Sequence, residues 1–152
     1  MITTHQKNIA ALTHLSTLSK FVFPLGNFIM PLILWTLNKE KSEFIDKHGK
    51  QAINFQLSIL LYSVIIASLT IPLFIFGVLD HISFPEVWRG MHHNINMNIS
   101  DAEGIQIAVF AIVIVFLAII ATIFEIIFII LATTKANSGE LYNYPITINF
   151  LK

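Results

Sequence analysis

The chain has 152 residues, 55% of them hydrophobic and only 12% charged, with a mean hydropathy of +0.75. A soluble domain carries about 25% charged residues, so a water-exposed globule is excluded and much of the apolar surface has to face lipid. Nine basic residues balance nine acidic ones, which gives no electrostatic argument for nucleic acid, and the lack of cysteine removes disulfides, thiolate metal sites and a cysteine nucleophile. One domain is the sensible count.

Met1 to Ala10 is polar and holds no short apolar core before a cleavage site, so no cleaved leader is expected. Ile9, Leu12, Leu15 and Leu18 then recur at helical spacing among alanine, threonine and serine. That pattern predicts an amphipathic helix at the interface or packed on a bundle. His14 sits there beside Ser16, Thr17 and Ser19, where a hydrogen-bonded packing role is expected in preference to a ligand role.

The apolar run Phe21 to Leu37 follows, broken by Pro24, Gly26 and Pro31. A single helix from Thr4 to Leu37 would be about 50 Å long, well over a bilayer core of about 30 Å. A bend near Pro24 to Asn27 is therefore expected, with a first span over 18–37. A re-entrant hairpin is the alternative.

The loop 38–50 holds Lys39, Lys41, Lys47 and Lys50, whereas the loop 80–104 holds only Arg89. By the positive-inside rule the first is cytoplasmic and the second outer. Three spans put the N-terminus outside and the tail 133–152 inside. Lys7 and Lys20 weigh against this, and a re-entrant first segment would bring both termini inside. Lys39, Lys41, Lys47, His48 and Lys50 form a candidate surface for a partner or for anionic lipid head groups. An ordinary positive flank is the plainer reading.

The second span, 52–79, has an amphipathic start, with Gln51, Asn54 and Gln56 among Ala52, Ile53 and Phe55; His48, Gln51 and Phe55 share one helical face. Pro72 removes the bond to the Ser68 carbonyl, so a kink is expected there, with Ser68 and Thr70 available to satisfy the freed backbone. The outer loop carries His81, His92 and His93 near Met91 and Met97. These are suitable ligands for copper or zinc, but their spacing matches no metal motif and no metal site is predicted. The sequon Asn98 to Ser100 matters only on a eukaryotic secretory route.

The third span, 105–132, is the plainest. Asp101 is a candidate N-cap, Glu103 suits the first turn, and Lys135 and Gly139 are stop signals. Its one charge, Glu125, is costly in lipid and should face the bundle interior with a partner. Asn54, Gln56 and His48 lie at comparable depth on the second helix, so a Glu125–Asn54 contact is expected, with Gln56 and His14 as further polar members. A proton or cation relay is the functional reading of Glu125; a hydrogen-bonded packing residue is the structural reading, and the expected one. In the tail, Ile146, Ile148 and Phe150 alternate with Thr147 and Asn149, which predicts an extended segment with one apolar side. No HExxH, Walker-type glycine loop or GxSxG is present, and no paired catalytic side chains lie in the spans. No enzyme, catalytic residue or cofactor is predicted.

His14-Leu15-Ser16, Pro31 to Trp35, the stretch from Phe44 through Asp46 and His48 to Gln51-Ala52-Ile53-Asn54-Phe55-Gln56, and the end Ala132, Lys135, Gly139-Glu140, Tyr144-Pro145 carry a resemblance. Together they resemble a widespread family of small bacterial membrane proteins of unknown function. That family is grouped more distantly with the twenty-kilodalton inner-envelope subunit of the chloroplast protein-import translocon. The resemblance implies a helical bacterial membrane domain and no reaction; the long outer loop departs from the family pattern.

The expected fold is thus an all-α membrane protein, a bundle of about three transmembrane helices preceded by an amphipathic N-terminal segment, in a bacterial inner membrane. Its expected partners are the lipid bilayer and other membrane subunits or copies of itself. The leading functional expectation is a non-enzymatic accessory or scaffold subunit. The alternatives are a homo-oligomeric ion or solute transporter using Glu125 and a role in protein insertion or translocation.

Overall fold

The computed structural model describes residues 2–79 and 101–152. The expectations placed on the outer loop, among them its histidines, its methionines and the Asn98 sequon, lie outside the described residues. The elements in chain order are α1 (Thr4–Leu15), a 3-10 helix (Ser16–Phe21), α2 (Gly26–Asn38), a short 3-10 turn (Lys39–Lys41), α3 (Glu43–Leu79) and α4 (Asp101–Ser138). The all-α class is as expected, and the described residues contain no strand. Two helices, α3 and α4, are long and apolar enough to cross a membrane. At 37 and 38 residues they would each reach about 55 Å.

Two compact units divide the chain: residues 1–62 with 122–152, and residues 63–121. In the second, Phe74 stacks on Phe110 with centroids 6.0 Å apart, while Val64, Ile66, Leu69, Ile112, Phe116 and Leu117 are all more than half exposed. Such a surface is stable only in lipid. Pro72 lies inside α3, which runs on through it to Leu79. The Ser68 and Thr70 hydroxyls donate to the carbonyls of Ile65 and Ile66, not to the Ser68 carbonyl that Pro72 frees.

The first unit departs from the expected single span over 18–37. That stretch is broken into the 3-10 helix, a turn at 22–25 and α2, and α2 folds back against the 3-10 helix and α1. Leu25 at the turn has φ 61°, and Gly26 beside it brings the backbone against Ser19, where a Cβ would lie 2.6 Å from the Ser19 carbonyl. The 13 residues of α2 make about 20 Å, short of a bilayer core of about 30 Å. Pro24 and Gly26 break the run, so length and backbone chemistry together turn it into a hairpin.

Side chains give the direction of each arm. Ala10 and Ala11 cluster with Phe44 and Ala136, near one end of α3 and α4. Further along, Lys20 meets Glu125 and Asn27 meets Gln56, deeper in both helices. Then Trp35 returns to the level of Asp46 and Gly49. The α3 and α4 segments run antiparallel here, since Phe44 shares a cluster with Ala136 and Phe55 packs on Phe128.

The amphipathic α1 is oriented the opposite way from a water-soluble helix. A Thr3–Gln6 capping box starts it, and its buried face is Ala10, Ala11, Thr13 and His14. Leu12, at 53% exposure, and Leu15 point outward. At its far end α4 stops in a Schellman motif: Gly139 has φ 86°, its N–H reaches the Ala136 carbonyl, and the Glu140 N–H reaches Lys135. The stop expected at Lys135 and Gly139 is therefore seen.

Gly49 sits under the Trp35 indole, where an added Cβ would fall 2.1 Å from the ring. We expect Gly49→Ala to displace Trp35 and lower the thermal stability of the purified protein in detergent by about 1–3 kcal/mol, as overpacking does. An unchanged melt would contradict this packing.

A polar core between the helices

Beside a buried apolar set that includes Ile45, Phe55 and Ile129, the first unit buries eight polar side chains: Thr13, His14, Thr17, His48, Asn54, Gln56, Ser58 and Glu125. Most of them fall into three connected groups.

The first is centred on Glu125. Lys20 Nζ lies 2.5 Å from Glu125 Oε2, and Gln56 Nε2 donates to Glu125 Oε1 at 3.4 Å. Asn27 Nδ2 in turn donates to Gln56 Oε1 at 2.8 Å. The carboxylate therefore has a counter-charge and a second donor, as burial of a charge requires. The expected partner Gln56 is present. The expected partner Asn54 is not: it faces the tail. Lys20 was not among the residues singled out for the site. Its sequence signal was the pairing of one lysine at the start of an apolar run with one acid inside another, but only the hairpin fold brings the two together.

The second is a chain of rings. Tyr144 Oη and His14 Nδ1 are 2.9 Å apart, and His14 Nε2 and His48 Nδ1 are 2.8 Å apart. With both imidazoles neutral, each contact holds one proton and the chain can be polarised in either direction. His48 Nε2 is buried beside the Glu140 backbone without a hydrogen bond of ordinary geometry. Phe44 packs edge-on against His48, and Phe55 stacks on Tyr144 with rings 4.0 Å apart. His14 is thus buried, with both ring nitrogens engaged. His48 is not part of an exposed lysine surface, since it is fully buried. Burial, reinforced by His48, holds the His14 imidazole down to about 3, and burial, with Tyr142 and Glu125 nearby, raises the Tyr144 phenol.

The third group ties down the tail. Gln51, Asn54, Ser58 and Tyr62 recur at helical spacing on α3. Gln51 Nε2 donates to Asn143 Oδ1; Asn54 Nδ2 donates to the Leu151 carbonyl and its Oδ1 accepts from the Leu151 N–H. Ser58 Oγ accepts from the Ile148 N–H, and Tyr62 Oη donates to the Ile146 carbonyl. The tail is irregular, with a turn at Pro145–Ile146 where Ile146 has φ 58°, and it docks through its backbone. Its apolar side chains Ile146, Ile148 and Phe150 point outward, Ile146 at 82% exposure. The apolar side of the alternation thus faces away from the bundle.

Among the surface lysines, Lys39 lies over the Trp35 ring at 5.2 Å and Lys41 bonds to Asn38. Lys47 pairs with Glu43 and Lys50 with Asp46, which also accepts from Trp35 Nε1. Among the described residues no group of three or more His, Asp or Glu could hold a metal ion.

Two long apolar helices around a hydrogen-bonded polar core define a helical membrane protein. A family model covering residues 5–151, that of the magnetosome magnetite crystal formation protein family, matches the chain, and the protein belongs to that family. It is a bacterial membrane-protein family, as the sequence motifs implied; the further grouping with the chloroplast translocon subunit finds no support in this match. No curated protein and no solved structure matches the chain.

Two predictions follow from the core. Lys20→Met or Glu125→Gln alone should destabilise the purified protein by about 3 kcal/mol, and the double variant should recover most of it, because a lone buried charge costs more than the pair contributes. Additive losses in thermal unfolding would disprove the coupling. His14 binds a proton near pH 6.5 when unfolded and near pH 3 when folded, so stability present above pH 6.5 should fall as the pH drops towards 3. A His14→Asn variant should show a flatter loss between pH 6.5 and 4.

Proposed function

We propose that this protein is a non-enzymatic scaffold of a magnetite-forming membrane compartment, packing against other membrane subunits there. The observation that carries the reading is the family match over 5–151. The core supports it. Its carboxylate, amides and imidazoles are bonded to one another or to the tail, which suits a structural part better than a reaction centre.

In this reading α3 and α4 cross the bilayer, and residues 4–38 form a re-entrant hairpin entering from the lysine-rich side. Both termini and the loop 38–50 then face the cytoplasm. The parent bilayer is the bacterial inner membrane. The transport alternative needs Glu125 open to an ion path, whereas its two oxygens are taken by Lys20 and Gln56. No geometry favours that alternative or the translocation reading.

The test is replacement of the resident family member in a magnetite-forming bacterium. With this chain in place, crystal size and number should return towards normal, and in vivo crosslinking should capture other compartment membrane proteins. Crystals that stay defective despite normal expression and membrane insertion would refute the proposal. Reconstituted vesicles should show no ion flux, and Glu125→Gln should not create or abolish one.

A further inference from the structure

Between the first turns of α3 and the docked tail lies a cavity of about 370 Å³. Its charged side chains are Lys47, Lys50 and Lys152, and no Asp or Glu side chain lines it. We propose that this cavity binds a phosphate-bearing anion, supplied in the membrane by the head group of an anionic phospholipid.

Four observations carry this. First, three lysines line the cavity, and no Asp or Glu side chain does. The acids that pair with Lys47 and Lys50, Glu43 and Asp46, lie outside the lining, and Glu43 is itself 80% exposed. The Lys47–Glu43 pair, exposed and i,i+4, is of the weak kind that readily exchanges for a phosphate. Second, the cavity is built in advance: the Gln51–Asn143 bond and the reciprocal Asn54–Leu151 bonds fix the tail wall against α3. Third, the wall is two-sided. The side chains of Asn143 and Asn149 supply hydrogen-bonding amides, while Leu141, Leu151 and Tyr142 supply an apolar flank for a glycerol backbone. Fourth, the site lies at the lysine-rich end of the bundle, where α3 enters the apolar region. That is the level of the head groups, and in the positive-inside orientation it is the leaflet side on which basic clusters meet anionic lipid. Its volume is within the range of small-ligand sites, about 300–1,000 Å³.

The lysine surface legible in the sequence is therefore divided. Lys39 and Lys41 are engaged at the end of α2, and Lys152, far away in the chain, joins Lys47 and Lys50. The proposal rests on the membrane reading of the fold and not on a role in crystal formation.

The experiment is native mass spectrometry of the full chain in a neutral maltoside detergent, with added short-chain phosphatidylglycerol, phosphatidylcholine or inorganic phosphate. Phosphatidylglycerol should be retained in preference to phosphatidylcholine. A Lys47→Gln/Lys152→Gln variant should lose that retention by about thirtyfold, in keeping with the contribution of two lysines near an anionic surface. Lys41→Gln, outside the cavity, should leave it unchanged, and thermal melts confirm that both variants fold. Competition by millimolar phosphate would identify a site for the free anion as well; its absence would identify a head-group site. Equal retention by the double variant, or an equal loss in Lys41→Gln, would overturn the proposal in favour of a diffuse positive flank.

Discussion

The contact between Lys20 and Glu125 is the constraint on which the first unit depends. A carboxylate inside an apolar helix is tolerable only with a counter-charge and hydrogen bonds, and α4 itself offers no counter-charge at that depth. The lysine has to come from elsewhere. It comes from the 3-10 helix, and to bring it to Glu125 the chain runs along the long helices and turns back. Asn27, just past the turn, then falls beside Gln56, the second donor to Glu125. One buried acid thus holds the deepest part of the hairpin to both long helices.

The other two polar groups secure the opposite end of the same unit. His14, His48 and Tyr144 join α1, α3 and the tail, and the Asn54 and Ser58 side chains satisfy tail backbone groups that a sheet would otherwise have paired. Between hydrocarbon chains there is little hydrophobic gain in bringing helices together, so packing of small residues and interhelical hydrogen bonds must provide the adhesion. Ala10, Ala11, Ala52, Ala132 and Ala136 provide the first, and the polar core provides the second. A few large apolar residues, among them Ile45, Phe55 and Ile129, are buried with them, and most of the others face outward.

The division between what was legible and what was not follows chemistry. Burial of Glu125, Asn54, Gln56 and His14 could be read from the sequence, because a polar residue in an apolar run must face protein. Their pairing could not. Asn54 and Gln56 are two residues apart, so they point to different sides of α3, and only the positions of the hairpin and the tail decide which one meets Glu125. His48 looked like part of a basic flank because its neighbours are lysines, yet its own side of the helix is covered by Phe44, α1 and the tail. In the tail the alternation shows that one side is apolar but not which way it faces; it faces outward, since apolar side chains gain nothing by leaving lipid.

The sequence by itself determined the class: two long apolar helices, a lysine-rich end, and an acid that cannot stand alone in hydrocarbon. These follow from local composition and from the cost of putting charge in lipid, both of which need only neighbouring residues. The tertiary structure alone decided that Lys20 serves Glu125 and that Lys152 shares a cavity with Lys47. Each joins positions about 105 residues apart, and no local rule of spacing or propensity acts over such a distance.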